Sequence, residues 1–421
     1  MQTLLVRYRV TTPVFLGAPA GEGQAELNLR GLKGAARFWW RALNHARLGA
    51  DVGRLAEAEG RLFGAAVQRG RKYGASRFKW RLRWATEEPK AVAAETVIDK
   101  TQPGLGYLAG QGLKGRRCFW TASAPMRLQL DVVAPGKALH DGVAWTAEGQ
   151  QIADALELLG LVGGIGARKS RAFGSLSLDS LGLRDAPALA IGPCTDGDDY
   201  RRRLAAVRAR YPEVADFTAL PGFPALSERS RIWVLASRGG SALSLMDEVG
   251  RQMVRYRSFG VKMGKTRLTV SGEVPEKNFV ADHDWAKNPH AAGAPSHPDR
   301  IAFGMPLGHN RCDVRFVKPA GRERRGSPLL LHIQHLANGG HLAVAAMLPA
   351  KLAPGDGLDV EVKTGDPKNP IAILRRTLAP SFEDMRAWEV LTGFVDGTVG
   401  VSGTKLVPQQ FYFPDRQQVW P

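Results

Sequence analysis

Acidic residues are what this sequence is short of. Its 421 residues hold 40 Asp and Glu against 58 Lys and Arg, a formal net charge of +18. Such an excess points to a polyanionic partner, either nucleic acid or an anionic membrane surface. Cysteine is nearly absent as well. Cys118, Cys194 and Cys312 are odd in number and far apart, so neither a disulfide framework nor a cysteine zinc site is expected, and the three read as small core residues. No apolar run approaches the ~20 residues of a membrane-spanning helix. The stretch Met1 to Arg7 lacks a signal-peptide core, so the expectation is a cytoplasmic protein with no membrane association. Hydrophobic and charged fractions of 44% and 23% are ordinary for a globular chain, and the length suffices for two domains with full cores.

What is there centres on Gly163-Gly164-Ile165-Gly166-Ala167-Arg168-Lys169-Ser170-Arg171-Ala172-Phe173-Gly174-Ser175. Upstream, Ile152, Ala155, Leu156 and Leu159 recur at helical spacing; downstream, Leu176 and Leu178 alternate with Ser175 and Ser177 as in a half-buried strand. The order is helix, glycine loop, strand. A dinucleotide fingerprint needs the reverse order, and Lys169 stands where its third glycine belongs; a phosphate P-loop fails for want of a GK[ST] ending. Two readings stay open. Either this is a glycine-rich turn with a solvated basic rim, or its amides and Arg168, Lys169 and Arg171 meet a phosphodiester chain, with Gly164, Gly166 and Gly174 permitting close backbone approach.

A second stretch, Gly31 to Asn44, reads as an amphipathic helix. Leu32, Ala35, Ala36, Trp39 and Leu43 form the apolar stripe, while Lys33, Arg37 and Arg41 fall at i, i+4 and i+8 on the other face with Trp40. A tryptophan among three cations suits stacking on an unpaired base beside phosphate contacts; it equally suits packing of Trp40 on a neighbouring element. Residues 69–84 form the densest basic run, in which Phe78, Trp80, Leu82 and Trp84 alternate with Arg77, Lys79, Arg81 and Arg83, a strand with one apolar and one cationic face.

The segment Leu32-Lys33-Gly34-Ala35-Ala36-Arg37-Phe38-Trp39-Trp40-Arg41-Ala42-Leu43 resembles a motif of the RAMP superfamily, the RNA-binding subunits of CRISPR effector complexes, and specifically of the family that supplies the first subunit of the Cmr (type III-B) complex. Further similar elements are Glu59 to Gly64, the glycine loop, Ala302 to Gly308 and Arg324 to Leu329. The resemblance implies an α+β fold of two ferredoxin-like (RRM-like) domains in tandem with loop insertions. The expected boundaries are 1–182 for the first domain with its glycine-rich loop, 183–229 for an interdomain connection with a short helix near Tyr200 to Tyr211, and 230–421 for the second domain. Pro103 to Gly115 is too glycine-rich to predict a regular element. In the second half the expected elements are a strand from Arg231, a helix after it, a hairpin around Ala337 to Gly340, a capping box at Ser381 to Asp384 and a last strand over Val399 to Val407.

By resemblance, the chain is a non-catalytic subunit of a type III-B effector in antiviral defence, with guide CRISPR RNA near its 3′ region and/or target single-stranded RNA, and other Cmr-type subunits, as partners. The RNA-binding candidates are Lys33, Arg37, Trp40, Arg41, Gly164, Gly166, Arg168, Lys169, Arg171 and Gly174. The alternative is a RAMP-type endoribonuclease acting on CRISPR RNA, for which His45 is the candidate base near the basic helix, with Asp99 and Asp141 in loops. No cofactor or metal is expected: Gly260 to Thr266 is one residue short of a Walker loop, and His283, His290 and His297 lack metal-ligand spacing.

Overall fold

The computed structural model describes residues 2–17, 25–65, 74–98, 101–110, 113, 115–121, 124–134, 147–186, 190–218, 220–258, 275–276, 278–288, 297–308, 314–348, 350–351, 357–363, 371–376, 387–397 and 413–421. The first half runs β1 (Thr3–Val10), α1 (Leu29–Arg47), α2 (Val52–Phe63), β2 (Lys79–Trp84), β3 (Ala91–Ala93), α3 (Pro103–Ala109), β4 (Arg117–Phe119), β5 (Met126–Val133), α4 (Ala147–Val162) and β6 (Leu176–Leu183). Its main sheet has the order β2-β5-β1-β6, antiparallel at every pair. With α1 between β1 and β2 and α4 between β5 and β6, this is the ferredoxin-like β-α-β-β-α-β unit.

The second half repeats the plan. After α5 (Gly197–Ala209) and α6 (Glu213–Asp216) come β7 (Arg231–Arg238), α7 (Ala242–Arg257), α8 (Val280–Lys287), β8 (Leu307–Gly308), β9 (Val314–Pro319), β10 (Leu329–His335), β11 (His341–Met347), β12 (Leu358–Lys363), β13 (Ile371–Arg376), α9 (Ala387–Asp396) and β14 (Gln417–Trp420). The sheet β10-β11-β7-β14 has the strand order of the first sheet, again antiparallel. A further sheet, β13-β12-β9-β8, goes beyond the expected plan. The expected capping box at 381–384, the strand at 399–407 and the Gly260 to Thr266 loop lie outside the described residues; among the described residues β14 supplies the fourth strand.

Burial explains how the two sheets stack. Along β7, Ile232 and Val234 join a core shared with β1, α1, α4 and β5, whereas Trp233 and Leu235 join a second core with α7 and α9. The order of layers is therefore sheet, helix pair α1 and α4, sheet, helix pair α7 and α9. This makes α4 a helix buried all round: from Ile152 to Val162 every side is covered, including Asp154 and Glu157. Those two acids are neutralised from α5 and its C-terminal turn. Arg210 lies 2.9 Å from Asp154 and 2.8 Å from Glu157, and the Tyr211 hydroxyl donates to Asp154 at 2.9 Å. The segment read as a connection thus contributes Tyr200, Leu204, Val207 and Tyr211 to the first core.

Pro103 to Gly115 departs from expectation: α3 is a helix. It forms because α3 and α7 touch backbone to backbone at Gly104 and Gly250, where a Cβ on Gly250 would stand 2.2 Å from the Gly104 carbonyl oxygen. Its glycines serve helix contact rather than flexibility.

Candidate nucleic-acid interface

The glycine loop is built by packing constraints. At the end of α4, a Cβ on Gly163 would stand 2.5 Å from the Trp39 indole nitrogen of α1. Gly166 (φ +83°) and Gly174 (φ +64°) occupy the left-handed region, and a Cβ there would stand 2.5 Å from the Phe15 carbonyl oxygen and 2.1 Å from that of Ile165. Gly164 abuts the Gly174 carbonyl in the same way, at 2.6 Å. Five of the loop amides are spent internally: Ile165 N donates to Gly174 O, Ala167 N to Phe15 O, Arg171 N to Arg168 O, Gly174 N to Pro13 O, and Ser175 N to the Thr12 hydroxyl. Gly164, Gly166 and Gly174, expected to let the backbone approach a phosphodiester chain, stand at tight contacts with the protein's own backbone. They close the loop on the protein, and what it presents outward is side chains.

Those side chains are Arg168 and Lys169, on the exposed turn Ala167 to Lys169. Arg168 holds a positive φ of 61°, an unfavoured conformation for a residue with a Cβ. Lys169 reaches back to α1, its ammonium 5.7 Å from the centre of the Phe38 ring. Desolvation and the neighbouring Arg41 hold it below the usual lysine value. Loop tip and basic helix therefore share one surface.

Along α1 the cations divide by role. Lys33 lies 5.6 Å from the Trp80 ring centre of β2, its pKa lowered by burial and by Arg37. Arg37 is committed to structure, donating to the Phe63 carbonyl at 3.0 Å and to the Gly64 carbonyl at the end of α2. Arg41 and Arg37 share a single carboxylate, Glu59, at 3.5 and 3.7 Å. Lys33, Arg41 and Lys169 thus leave a net positive face.

Three candidates lie elsewhere than expected. Trp40 is 1% exposed, donates from its indole nitrogen to Gln151 at 3.1 Å and packs edge-on to Phe63, so it has no face for a base. The helical wheel places it with the cations because α1 is covered on two sides, by its sheet and by α2 and α4. Arg171 points inward, donating to the Phe303 carbonyl at 2.9 Å and to the Met253 sulfur at 3.0 Å, which pins the loop to the second half. His45, the candidate base, is buried between Phe217 and Phe223 with ring centres 5.1 and 4.9 Å away, and burial lowers its pKa; it cannot reach a 2′-hydroxyl. Asp99, Asp141, His290 and Cys312 lie outside the described residues. Among the described residues no three His, Cys, Asp or Glu side chains gather as metal ligands, and no helix is long and apolar enough to cross a membrane.

Comparison with known proteins meets this geometry at the same place. The family model described as RAMP superfamily matches residues 7–177, from β1 through the basic helix and the glycine loop into β6. Residues 7–177 are similar to the RAMP superfamily. No curated protein matches the sequence. Among solved structures, this chain is similar to apo Cmr1 from Pyrococcus furiosus, with a TM-score of 0.54 and 15% identity over 100% of this chain and 99% of that one. It also matches a chain of the type III-B Cmr-beta complex bound to cognate target RNA, with a TM-score of 0.49 and 10% identity over 82% and 94%. At these identities the likeness is one of fold. Sequence reading names Arg324 and Tyr107 only within family-like stretches and gives them no role, and it names Arg257 nowhere; a cation in the last turn of a helix carries no functional specificity, so their grouping beside the glycine loop is a tertiary fact.

Proposed function

We propose that this protein is a non-catalytic RNA-binding subunit of a type III-B (Cmr) CRISPR effector complex, contacting the guide RNA 3′ region and/or target RNA in antiviral defence. One observation carries the reading: the loop tip and the basic face of α1, about 130 residues apart in sequence, form one cationic surface through the Lys169–Phe38 contact, with Glu59 shared by two arginines. Side-chain cations on a shaped surface contact backbone phosphates without reading sequence. The RAMP-superfamily match over residues 7–177 and the fold likeness to Cmr1 over the whole chain support the assignment to an effector subunit.

The test is photocrosslinking of the purified chain to single-stranded RNA containing 4-thiouridine, with peptide mapping and a denaturing gel of the same samples. Crosslinks in α1 and in residues 163–175, on RNA that stays full length, are expected. Crosslinks confined to other surfaces, or discrete cleavage by the chain, would overturn the proposal.

A further inference from the structure

Beside the loop, on the side away from α1, four arginines come together, and among the described residues no acid pairs with them. Arg168 lies over the end of α3, where a Cβ at Gly110 would stand 3.1 Å from its guanidinium. Arg171 holds the Phe303 carbonyl from below, and Arg257, in the last turn of α7, sits over the Phe303 ring at 5.4 Å from its centre. Tyr107 of α3 stands within electrostatic reach of Arg257 and Arg171. Arg324, exposed, joins the group from the segment before β10, which Arg325 fixes beside Phe303 by exchanging backbone hydrogen bonds with Met305 at 2.8 and 3.1 Å.

The electrostatics are one-sided. Arg168 is lowered by burial and then by Arg324 and Arg257, and Arg171 is lowered to about 9 by burial, Arg257 and Arg168, against a raising effect of Tyr107. Burial raises the Tyr107 phenol, yet Arg257, Ser258 and Arg171 outweigh it and bring the phenol below its ordinary value. Among the described residues no carboxylate pairs with any of the four guanidiniums. Desolvated like charges repel, and a folded protein that keeps them together gains when an anion fills the gap. The anion that matches several guanidinium forks and a hydroxyl is a phosphate.

We propose that Arg168, Arg257 and Arg324, with the Tyr107 hydroxyl, form a receptor for a single RNA phosphate group, backed by Arg171 as the residue that positions Phe303. The proposal rests on the RNA-binding reading for its ligand and extends it to residues of the second half. The phosphate comes from an internal phosphodiester or from a phosphorylated RNA end; both present non-bridging anionic oxygens to the guanidiniums, the end carrying one more oxygen and the higher charge.

The experiment uses the full chain. Thermal unfolding is followed in inorganic phosphate and in chloride at matched ionic strength, for wild type, Arg257→Gln and Arg324→Gln. Phosphate is expected to raise the wild-type midpoint, with the rise lost in both variants and apparent phosphate affinity reduced about tenfold or more, as for loss of a charged hydrogen bond. Arg324 is exposed, so its variant reports even where Arg257→Gln fails to fold. RNA of one sequence carrying a 5′-phosphate, a 3′-phosphate or hydroxyl ends then separates the sources. Tighter binding of one phosphorylated form, lost in Arg324→Gln, assigns an end; equal binding of all three, weakened equally by Arg324→Gln, assigns an internal phosphodiester. No phosphate-specific stabilisation of wild type, or the same stabilisation in the variants, overturns the receptor. If RNA still binds in that case, the broader reading stands without it.

Discussion

Single residues in and around the loop differ sharply in what they tolerate. Gly174 holds φ +64° with the Ile165 carbonyl where a Cβ would go, so Gly174→Ala should cost on the order of 3 kcal/mol from overpacking and strain. Gly34 is a control from the basic helix. It is exposed, with nothing within 4 Å of where an added methyl would sit, and Gly34→Ala should add roughly 1 kcal/mol through helix propensity. Urea titrations of the two variants measure both signs. Histidine chemistry sets a pH effect at the same scale. His335 Nδ1 and His341 Nε2 are 3.2 Å apart across β10 and β11. Burial, Arg9, His341 and Arg127 lower His335 to about 4, and burial lowers His341. The unfolded chain therefore binds more protons than the folded one between about pH 6.5 and 4, and stability falls as pH falls through that window. A thermal midpoint that declines over this range in wild type, and less steeply in His335→Asn, is the expected result.

At the scale of elements, α4 and the turn after α5 are bound by charge as well as by packing. Arg210→Ala strands Asp154 and Glu157, with 3% and 5% side-chain exposure, and should cost roughly 3–5 kcal/mol, as for a broken buried pair. Arg201→Ala removes an exposed arginine from an exposed Asp198 and should change stability by less than about 1 kcal/mol. Equal effects in a denaturant titration would contradict the layered arrangement. These elements also show what could be read in advance. The strands β1, β5, β7, β10 and β11 and the helices α1 and α4 announce themselves by apolar period, because each has a face toward a core. α3 does not: its helix depends on Gly250, about 140 residues away in sequence, and no local pattern records that contact. For Trp40 the sequence leaves base stacking and packing on a neighbouring element both open, since a helical wheel knows one apolar face and α1 has two covered sides.

For the whole molecule, the repeated β-α-β-β-α-β plan and the basic charge were legible, while the way the halves share one helix layer was not. That sharing decides which cations face outward. It turns Arg171 inward onto Phe303, commits Arg37 to the end of α2, and leaves Lys33, Arg41, Lys169 and Arg168 on the outside. The glycines of the loop were legible as a loop but not in their purpose, because close backbone contact with Phe15 and Ile165 is a tertiary fact. The most direct measurement of the central claim is the salt dependence of single-stranded RNA binding by the full chain and by a Lys33→Gln, Arg41→Gln, Lys169→Gln triple variant. With single-strand phosphate contacts contributing about 0.7 each to the slope of log affinity against log salt, three lost contacts should flatten it by about 2. A slope that is unchanged in the triple variant would contradict the account, because the phosphates would then be held elsewhere.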